Sequence, residues 1–325
     1  MSLLKNPALM ASPIATRSLV VLEIAEEMVL TSPDRLFGQA KVLLRRQGTQ
    51  EWPVCLFGSN TAEGIDAVVK GEAQLALINP ATPLNLAFRG TGPYKSPQPV
   101  RTIAVIPSLD QYVFAVKSDS GLETFEEIGT KRYPLRLSLR GEPNHCLHMM
   151  LDHIMAAAGF SIEQIKSWGG AARYEGTLPL PGGPRFQSLQ RGDADAIFDE
   201  ASDAWVDNAL DAGMTMLPLS EATVRKLEAI GYRRALLKKE VFSRLPADVL
   251  TIDFSGWPIF VHSGTSDELV GRICAALDAR KDRIPWQGEG PLPIERMCRD
   301  APDTPLDVPL HPAAKRFWRE RGYLP

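Results

Sequence analysis

Two stretches far apart in the chain repeat one pattern. Each has a basic residue and a glycine, then an acid and an alanine, a short apolar run and a polar corner; they read KGEAQLALINPA from Lys70 and RGDADAIFDEA from Arg191. A glycine in this position usually ends a helix, and a short apolar run after it is typical of a strand buried in a parallel sheet. A helix–glycine–strand unit that occurs twice predicts two α/β lobes of similar build.

The composition is that of a soluble globular protein long enough for two domains. The 325 residues are 44% hydrophobic and 23% charged, and the formal net charge is -3. Because basic residues are neither in excess nor gathered in a run, we expect no nucleic-acid partner. No apolar stretch approaches the ~20 residues that cross a bilayer, so we expect no direct membrane insertion.

The cysteines and the N-terminus give little information about the cellular compartment. Four cysteines without paired spacing predict small core residues, or one disulfide at most. Residues Met1–Thr16 contain no uninterrupted apolar segment, and Leu19–Leu30 is broken by three glutamates, so no secretory signal is visible. We therefore expect a periplasmic protein if a signal peptide has been trimmed, and a cytoplasmic one otherwise.

The chain is expected to cross between the lobes twice. The apolar run Tyr112–Val116 is predicted to lead into the second lobe, and Asp253–His262 to lead back. Each lobe should hold a mixed, mostly parallel sheet flanked by helices, with a ligand cleft between the lobes. The predicted parts are an N-terminal tail at residues 1–17, lobe 1 at residues 18–112 plus 257–325, and lobe 2 with the return connection at residues 113–256.

Three local patterns carry further expectations. Lys41–Arg46 has the spacing of a helix with a basic outer face. The segment from Pro80 to Pro99 is rich in proline and glycine, so we expect a loop there. Asn60 with Glu63 three residues later resembles a capping box at the start of a helix.

Two strand-to-helix turns are candidates for ligand binding. The first comprises Gly58, Ser59, Asn60 and Thr61, where the glycine lets a ligand approach the backbone and the other three add hydrogen-bond donors. Because a helix N-terminus has free N–H groups and a positive dipole end, it binds anions. The alternative interpretation is that these residues only cap a helix.

The second turn runs from Arg140 to Asn144. It supplies another helix start and a guanidinium that can hold a carboxylate with two hydrogen bonds. The alternative interpretation is that this segment is a surface turn with a solvated arginine. A similar turn in each lobe favours ligand binding, because open α/β sheets bind ligands at the carboxyl ends of their strands.

The polar corners of the repeat lie at strand ends too. Asn79 belongs to the first copy, and Asp199 and Glu200 belong to the second. Either acid could receive an ammonium or hydroxyl group of the ligand, whereas Asn79 could donate or accept a hydrogen bond. The alternative is that these acids are simply solvated.

Signs of catalysis or metal binding are weak. His145, Cys146, His148 and His153 lie close in sequence, but their spacing matches no metal site. A Cys146 thiolate activated by a helix start would need a base and an orienting group, and neither is evident. None of the common nucleotide-binding, hydrolase or metalloprotease motifs occurs, so we expect no catalytic residue, metal or cofactor.

From roughly Gln50 to its C-terminus, the chain resembles the TAXI group of TRAP-transporter solute receptors, which are extracytoplasmic binding proteins of the type II periplasmic fold. The resemblance rests on four features, of which the last is the most specific: Gly58–Ala62 followed by Gly71–Ala76, Tyr112–Lys117 leading into Gly121–Phe125, Gly192–Ala196, and the terminal motif Pro309–Gly322.

The resemblance implies a two-lobed binding protein that closes on a small organic anion, such as an amino acid or a dicarboxylic acid. Its partner would be a TRAP-type membrane permease, and no bond would be made or broken. Two other functions stay open on this fold. One is an enzyme for a small aromatic acid, such as a decarboxylase or isomerase using His145 or Cys146; the other is a cytosolic ligand sensor.

Overall fold

The computed structural model describes residues 13–31, 37–45, 54–201 and 205–325. The chain divides into two units, residues 1–40 and residues 41–325. In the first unit, Pro13–Leu30 forms helix α1, and large apolar side chains between Val20 and Leu30 are exposed. Of the predicted tail, residues 1–12 lie outside the described ranges and residues 13–17 belong to α1. None of the helices in the described ranges is long and apolar enough to span a membrane.

Twelve strands and twelve α-helices occur in the described parts of the chain. The strands are β1 Ala40–Leu44, β2 Val54–Gly58, β3 Leu75–Leu77, β4 Val100–Ile106, β5 Tyr112–Lys117, β6 Arg136–Leu139, β7 Ala171–Tyr174, β8 Ala196–Glu200, β9 Met214–Met216, β10 Arg234–Leu237, β11 Val249–Ile252 and β12 Trp257–His262. The helices after α1 are α2 Glu63–Val69, α3 Thr82–Arg89, α4 Glu127–Thr130, α5 Cys146–Ala158, α6 Ile162–Ser167, α7 Pro184–Gln190, α8 Trp205–Asp211, α9 Glu221–Ile230, α10 Asp267–Arg280, α11 Ile294–Met297 and α12 Pro312–Glu320.

The strands form two five-stranded sheets and a two-stranded ribbon. The first sheet has the order β1-β2-β3-β12-β4, the second β7-β6-β8-β5-β9, and β10 pairs with β11. In the first sheet β2 and β3 are parallel, whereas β12 runs antiparallel to β3 and β4. In the second, β6 is parallel to β7 and β8, whereas β5 runs antiparallel to β8 and β9. Both sheets are therefore mixed, as predicted, but neither is mostly parallel, because β12 and β5 each run antiparallel to both of their neighbours.

Each sheet carries its own helices, and we call the two assemblies the first and second lobes. Helices α2, α3, α10, α11 and α12 pack with the first sheet, and α4 to α9 with the second. In the first lobe the fully buried indole of Trp318 packs with the core and donates to the Ile103 carbonyl at 2.9 Å. The predicted two-lobed α/β fold is confirmed.

The sequence repeat forms the same local structure in both lobes. Helix α2 ends before Gly71 and leads to β3, and α7 ends before Gly192 and leads to β8. Both glycines have a left-handed φ, +77° and +74°. After each glycine, the N–H of Ala73 or Ala194 donates to the carbonyl six residues earlier, at 2.9 and 3.1 Å. The repeat therefore places one strand in each sheet.

Three local expectations were wrong. Residues Ala40–Leu44 form an edge strand, because they pair beside β2, and the Lys41 ammonium lies 4.9 Å from the centroid of the Phe57 ring; Arg46 lies outside the described residues. The Pro80–Pro99 segment contains helix α3, since Pro83 is tolerated in a first turn. Helix α2 starts after Ala62 without a side-chain cap, so the proposed capping box does not form.

Two adjacent segments connect the lobes, residues 107–111 and 253–256. They are held side by side by backbone bonds from Phe254 N–H to the Asp110 carbonyl and from Gly256 N–H to the Ser108 carbonyl, both 2.9 Å. The buried Ser255 hydroxyl accepts from the Asp110 N–H and donates to its carbonyl, each at 3.0 Å. We call these paired segments the hinge; they lie next to the polar strand ends described below.

Candidate functional site

The carboxyl ends of four strands, two from each sheet, meet at one polar cluster. Strands β2 and β3 end side by side in the first sheet, as do β6 and β8 in the second. The turns after β2 and β6 touch: the Cys146 N–H donates to the Asn60 carbonyl at 3.3 Å, and Thr61 forms a bridge with His145. The two predicted turns therefore lie together at the junction of the lobes.

Arg140 lies at the centre of this cluster and is 8% exposed. Its Nη2 group donates to Glu200 Oε1 at 2.9 Å and to Asp199 Oδ1, and its Nη1 lies 3.0 Å from His145 Nε2. Since Arg140 is always a donor, His145 Nε2 accepts in this contact. Arg140, Asp199 and Glu200, three of the predicted residues, are thus brought into direct contact.

A second arginine lies behind Asp199. Arg185 is completely buried, and its guanidinium donates to Asp199 Oδ2. It also donates to three backbone carbonyls at 2.8 to 3.2 Å, those of Ser138, Thr177 and Phe198. The ion pair of Arg185 with Asp199 and its hydrogen bonds to these carbonyls therefore all lie within the second lobe. The sequence gives one indication that Arg185 has a role: it follows Pro184 in the first turn of a helix, and that helix comes after a glycine-rich loop.

The two arginines decide the charge state of Asp199. Burial by itself would raise the pKa of Asp199, but attraction to Arg185 and Arg140 outweighs burial and lowers it. Burial likewise opposes the charge of Arg140, yet Asp199 and Glu200 outweigh it and raise the Arg140 pKa above its usual range. The cluster therefore contains a stable Arg185–Asp199–Arg140 ion chain.

Two further carboxyl groups have pKa values above the usual range. Burial raises the pKa of Glu200, although Arg140 partly opposes the shift. Burial, and then repulsion from Glu200, raises the pKa of Asp110 well above normal. Asp110 belongs to the hinge, and nothing in its sequence surroundings distinguishes it from an ordinary surface acid.

His145 and Cys146 have structural roles in this arrangement. His145 is the N-cap of α5, and burial, assisted by Arg140, lowers its pKa to about 3. Burial, followed by repulsion from Glu142, raises the pKa of the Cys146 thiol. A neutral, buried thiol is a poor nucleophile, so this geometry does not favour covalent catalysis through Cys146.

The first predicted turn is largely occupied with its own hydrogen bonds. The Ser59 and Thr61 hydroxyls are buried and lie 2.8 Å apart, and Ser59 Oγ accepts from the Thr61 N–H at 3.0 Å. Gly58 ends β2, and a Cβ built there would meet no atom within 4 Å. The backbone at Gly58 is therefore open to close approach, whereas the two hydroxyls are partnered.

The three predicted asparagines have different surroundings. Asn60 Nδ2 donates to Glu142 Oε2, and Asn144 Nδ2 to Glu63 Oε1, both at 2.8 Å. Asn79 precedes a cis proline and lies beside the carboxylate of Glu200, whose pKa it lowers slightly. The amide groups of Asn60 and Asn144 therefore bind carboxylates of the opposite lobe.

Three polar atoms of this cluster are buried without a hydrogen-bond partner among the described residues. They are Arg140 Nε, Asn60 Oδ1 and Asn79 Oδ1. Buried polar atoms are nearly always hydrogen-bonded in native proteins, so each such atom needs an explanation. Within the described ranges, no group of three or more His, Cys, Asp or Glu side chains is arranged to hold a metal ion.

Two mixed α/β lobes whose strand ends meet at a charged cluster define the architecture of this protein. The chain belongs to the NMT1-like family, whose model matches residues 58–322. This match covers most of both lobes, including every predicted site residue. No curated protein matches the chain.

Solved structures resemble the chain more distantly. A protein from Bordetella bronchiseptica RB50 is 13% identical with a TM-score of 0.39, over 81% of this chain and 86% of that one. An ABC-transporter choline binding protein in complex with choline is 13% identical with a TM-score of 0.37, over 81% and 76%. A TctC solute binding protein from Polaromonas is 22% identical with a TM-score of 0.33, over 67% and 68%.

Proposed function

We propose that the chain is a solute-binding protein of a membrane transport system. It holds a small polar organic molecule where the strand ends of the two lobes meet, and it makes or breaks no bond. Of the predicted lobe 1, residues 41–112 plus 257–325 form one of the two bodies that close on the ligand, and lobe 2, residues 113–256, forms the other. The paired hinge segments absorb this motion.

The main support for this proposal is that three buried polar atoms of the cluster have no hydrogen-bond partner among the described residues. Arg140 Nε is a donor, whereas Asn60 Oδ1 and Asn79 Oδ1 are acceptors. They come from both lobes and from the carboxyl ends of strands, where open α/β sheets bind ligands. A ligand that offers both an acceptor and donors would satisfy all three.

This combination favours an amino acid among the organic anions. Its carboxylate would accept from Arg140 Nε, and its ammonium group would donate to Asn60, Asn79 or Glu200. A dicarboxylic acid has two negative groups, but the charge of Arg140 is already balanced by Asp199 and Glu200. The remaining predicted residues, Gly58, Ser59, Thr61 and Asn144, would shape the surrounding wall.

Thermal stability against a ligand panel tests the proposal. The panel contains amino acids, 2-oxo acids, dicarboxylates and aromatic acids. A ligand at a hundred times its dissociation constant stabilises the native state by about 2.7 kcal/mol, which raises Tm by a few degrees in a chain of this size. We expect amino acids to give the largest shift.

Matched arginine variants show whether the shift comes from this site. Arg140→Lys keeps a positive charge but has no Nε–H group, so it should lose most of the shift. Arg173→Lys changes an exposed arginine in the same lobe and should keep it. Protein shown free of carried-over ligand that responds to no compound would contradict solute binding.

We further propose that the transport partner is a TRAP-type permease and that the protein works in the periplasm. This finer assignment rests on the resemblance to TAXI receptors, above all on the terminal motif that forms α12. Reconstituted TRAP-type permease from the same genome should take up the ligand only when this protein is added. Fractionation of cells that express the native gene tests the location, and recovery in the cytoplasm would contradict it.

A further inference from the structure

Two amide–carboxylate pairs join the lobes in opposite directions. Asn60 of the first lobe donates to Glu142 of the second, and Asn144 of the second lobe donates to Glu63 of the first, each at 2.8 Å. Each lobe therefore supplies one amide and one carboxylate. The Asn60–Glu142 pair is partly buried, whereas the Asn144–Glu63 pair is exposed.

Backbone contacts surround these pairs. The Cys146 N–H donates to the Asn60 carbonyl at 3.3 Å, and Thr61 and His145 form an antiparallel bridge. All these contacts connect the start of α2 with the start of α5, which are more than 80 residues apart: the paired side chains are 82 and 81 positions apart in sequence. The covalent connection between the lobes runs through the hinge, so only non-covalent bonds hold this edge together.

We propose that the Asn60–Glu142 and Asn144–Glu63 pairs form a latch that holds the lobes closed and sets how long a ligand stays bound. The ligand-residence part rests on the proposed solute-binding function. Two residues predicted to contact ligand are thereby assigned a different role, since their amide groups donate to carboxylates of the opposite lobe. Asn60 Oδ1 has no partner in the described residues and stays available to a ligand.

The latch predicts a specific kinetic effect. A ligand enters the open form, in which the pairs are apart, so loss of a pair should not slow association and should raise its rate only as far as the open fraction rises. Opening becomes easier when the pairs are lost, so dissociation should accelerate. For one partly buried hydrogen bond to a carboxylate, we expect roughly tenfold faster dissociation.

Distance measurements on ligand-free protein test the latch directly. Spin labels are placed at cysteines introduced for Lys70 and Glu240, which are exposed on the first and second lobes, while the four native cysteines are buried. Pulsed electron paramagnetic resonance should show a population at the closed distance in the otherwise unchanged protein. The Glu142→Ala/Asn144→Ala variant should lose this population in favour of longer distances.

Two controls separate the latch from general charge effects. Glu142→Gln keeps an acceptor for the Asn60 amide and should retain most of the closed population. Glu163→Ala removes an exposed acid of the second lobe that forms an ion pair with Lys166 of the same lobe, and this variant should retain the whole closed population. An unchanged distance distribution in the double variant, or no closed population in the parent protein, would overturn the latch.

Release of a radiolabelled mixture of L-amino acids measures the residence time. Glu142→Ala should release bound label roughly tenfold faster than the parent protein, and Glu142→Gln about as slowly. Equal release rates for Glu142→Ala and the parent would overturn the kinetic role. If the parent retains no label, the proposed function fails for amino acids, whereas the distance measurement still decides whether the latch exists.

Discussion

Arg140 owes its position to a second arginine. Arg185 is buried behind Asp199, holds that carboxylate from one side, and leaves its other oxygen to Arg140. Breaking one partner of a buried ion pair leaves an uncompensated charge, which is more costly than the pair's net contribution to stability. The ion chain therefore makes the geometry of Arg140 depend on Arg185, whose hydrogen bonds all lie within the second lobe.

Replacing Arg185 tests this dependence. Arg185→Met should lower the free energy of unfolding by about 3–5 kcal/mol, because it leaves Asp199 with a single positive partner in the core. Urea denaturation measures the change. Arg173→Met, at an exposed position, should change stability by about 0.5 kcal/mol or less. A loss below about 1 kcal/mol for Arg185→Met would contradict the ion chain.

Asp253 in the hinge predicts a pH effect of definite sign. Burial raises its pKa from 3.8 to about 6, although bonds from Ser255 and attraction to Arg233 oppose the shift. A raised pKa means that the folded state binds the proton more tightly. The resulting stabilisation is complete below about pH 4 and is lost as the pH rises towards 6, in total about 3 kcal/mol.

The Asp253→Asn variant isolates this effect because asparagine does not ionise. Between pH 4 and pH 7, the stability of the variant relative to the parent should rise by about 3 kcal/mol. Chemical denaturation across this range gives the difference, from which the other titrating groups cancel. Parallel pH profiles for the two proteins would show that Asp253 does not titrate as proposed.

The charged cluster could be predicted only in part from the sequence. Asp199, Glu200 and Arg140 follow apolar runs, so their position at strand ends is readable from local pattern. Arg185 and Asp110 could not be recognised as site residues: the position of Arg185 after Pro184 does not show that it meets Asp199, and the sequence around Asp110 gives no signal at all. Whether the predicted residues bind ligand stays a prediction.

At the scale of elements, glycines fix where helices end. Gly90 follows α3 with φ +71°, and a Cβ there would lie 2.3 Å from the backbone nitrogen of Pro97. Gly121 has a similar φ of +67°, but a Cβ there would meet no atom within 4 Å. Both positions have a left-handed backbone that a residue with a Cβ would adopt only with strain, but they differ in the space available to that Cβ.

This matched pair gives a prediction about packing. Gly121→Ala should cost about 1–2 kcal/mol, the strain of a left-handed residue with a side chain. Gly90→Ala should cost clearly more, because the backbone of Pro97 must also move. Denaturation of both variants measures the difference. Equal losses would show that the 90–97 turn relaxes without cost.

Elements with a strong repeat or a long apolar stripe were predicted well. The helix–glycine–strand unit forms as expected from local pattern. Ala40–Leu44 was mistaken for a helix because a short apolar run fits either structure, and pairing with β2 decides between them. Helix α3 was missed because proline and glycine mark both loops and the two ends of a helix.

At the scale of the molecule, the two passages of the chain between the lobes could be predicted from the sequence, because both connecting segments lie next to apolar strands. Tyr112–Val116 falls within β5 of the second sheet, and β12, from Trp257, returns to the first. The contact between the lobes at the starts of α2 and α5 could not be predicted from the sequence, since it is made by side chains that are far apart in the chain. The four cysteines are free and buried, as expected for core residues.

The position of β12 has a consequence for synthesis on the ribosome. This strand lies between β3 and β4 in the first sheet, although it is the last strand in the chain. The second sheet is complete once residue 216 has emerged, while β3 and β4 still lack the neighbour that joins them. The part of the protein made first therefore completes its sheet last, and the facing edges of β3 and β4 stay without their neighbour until then.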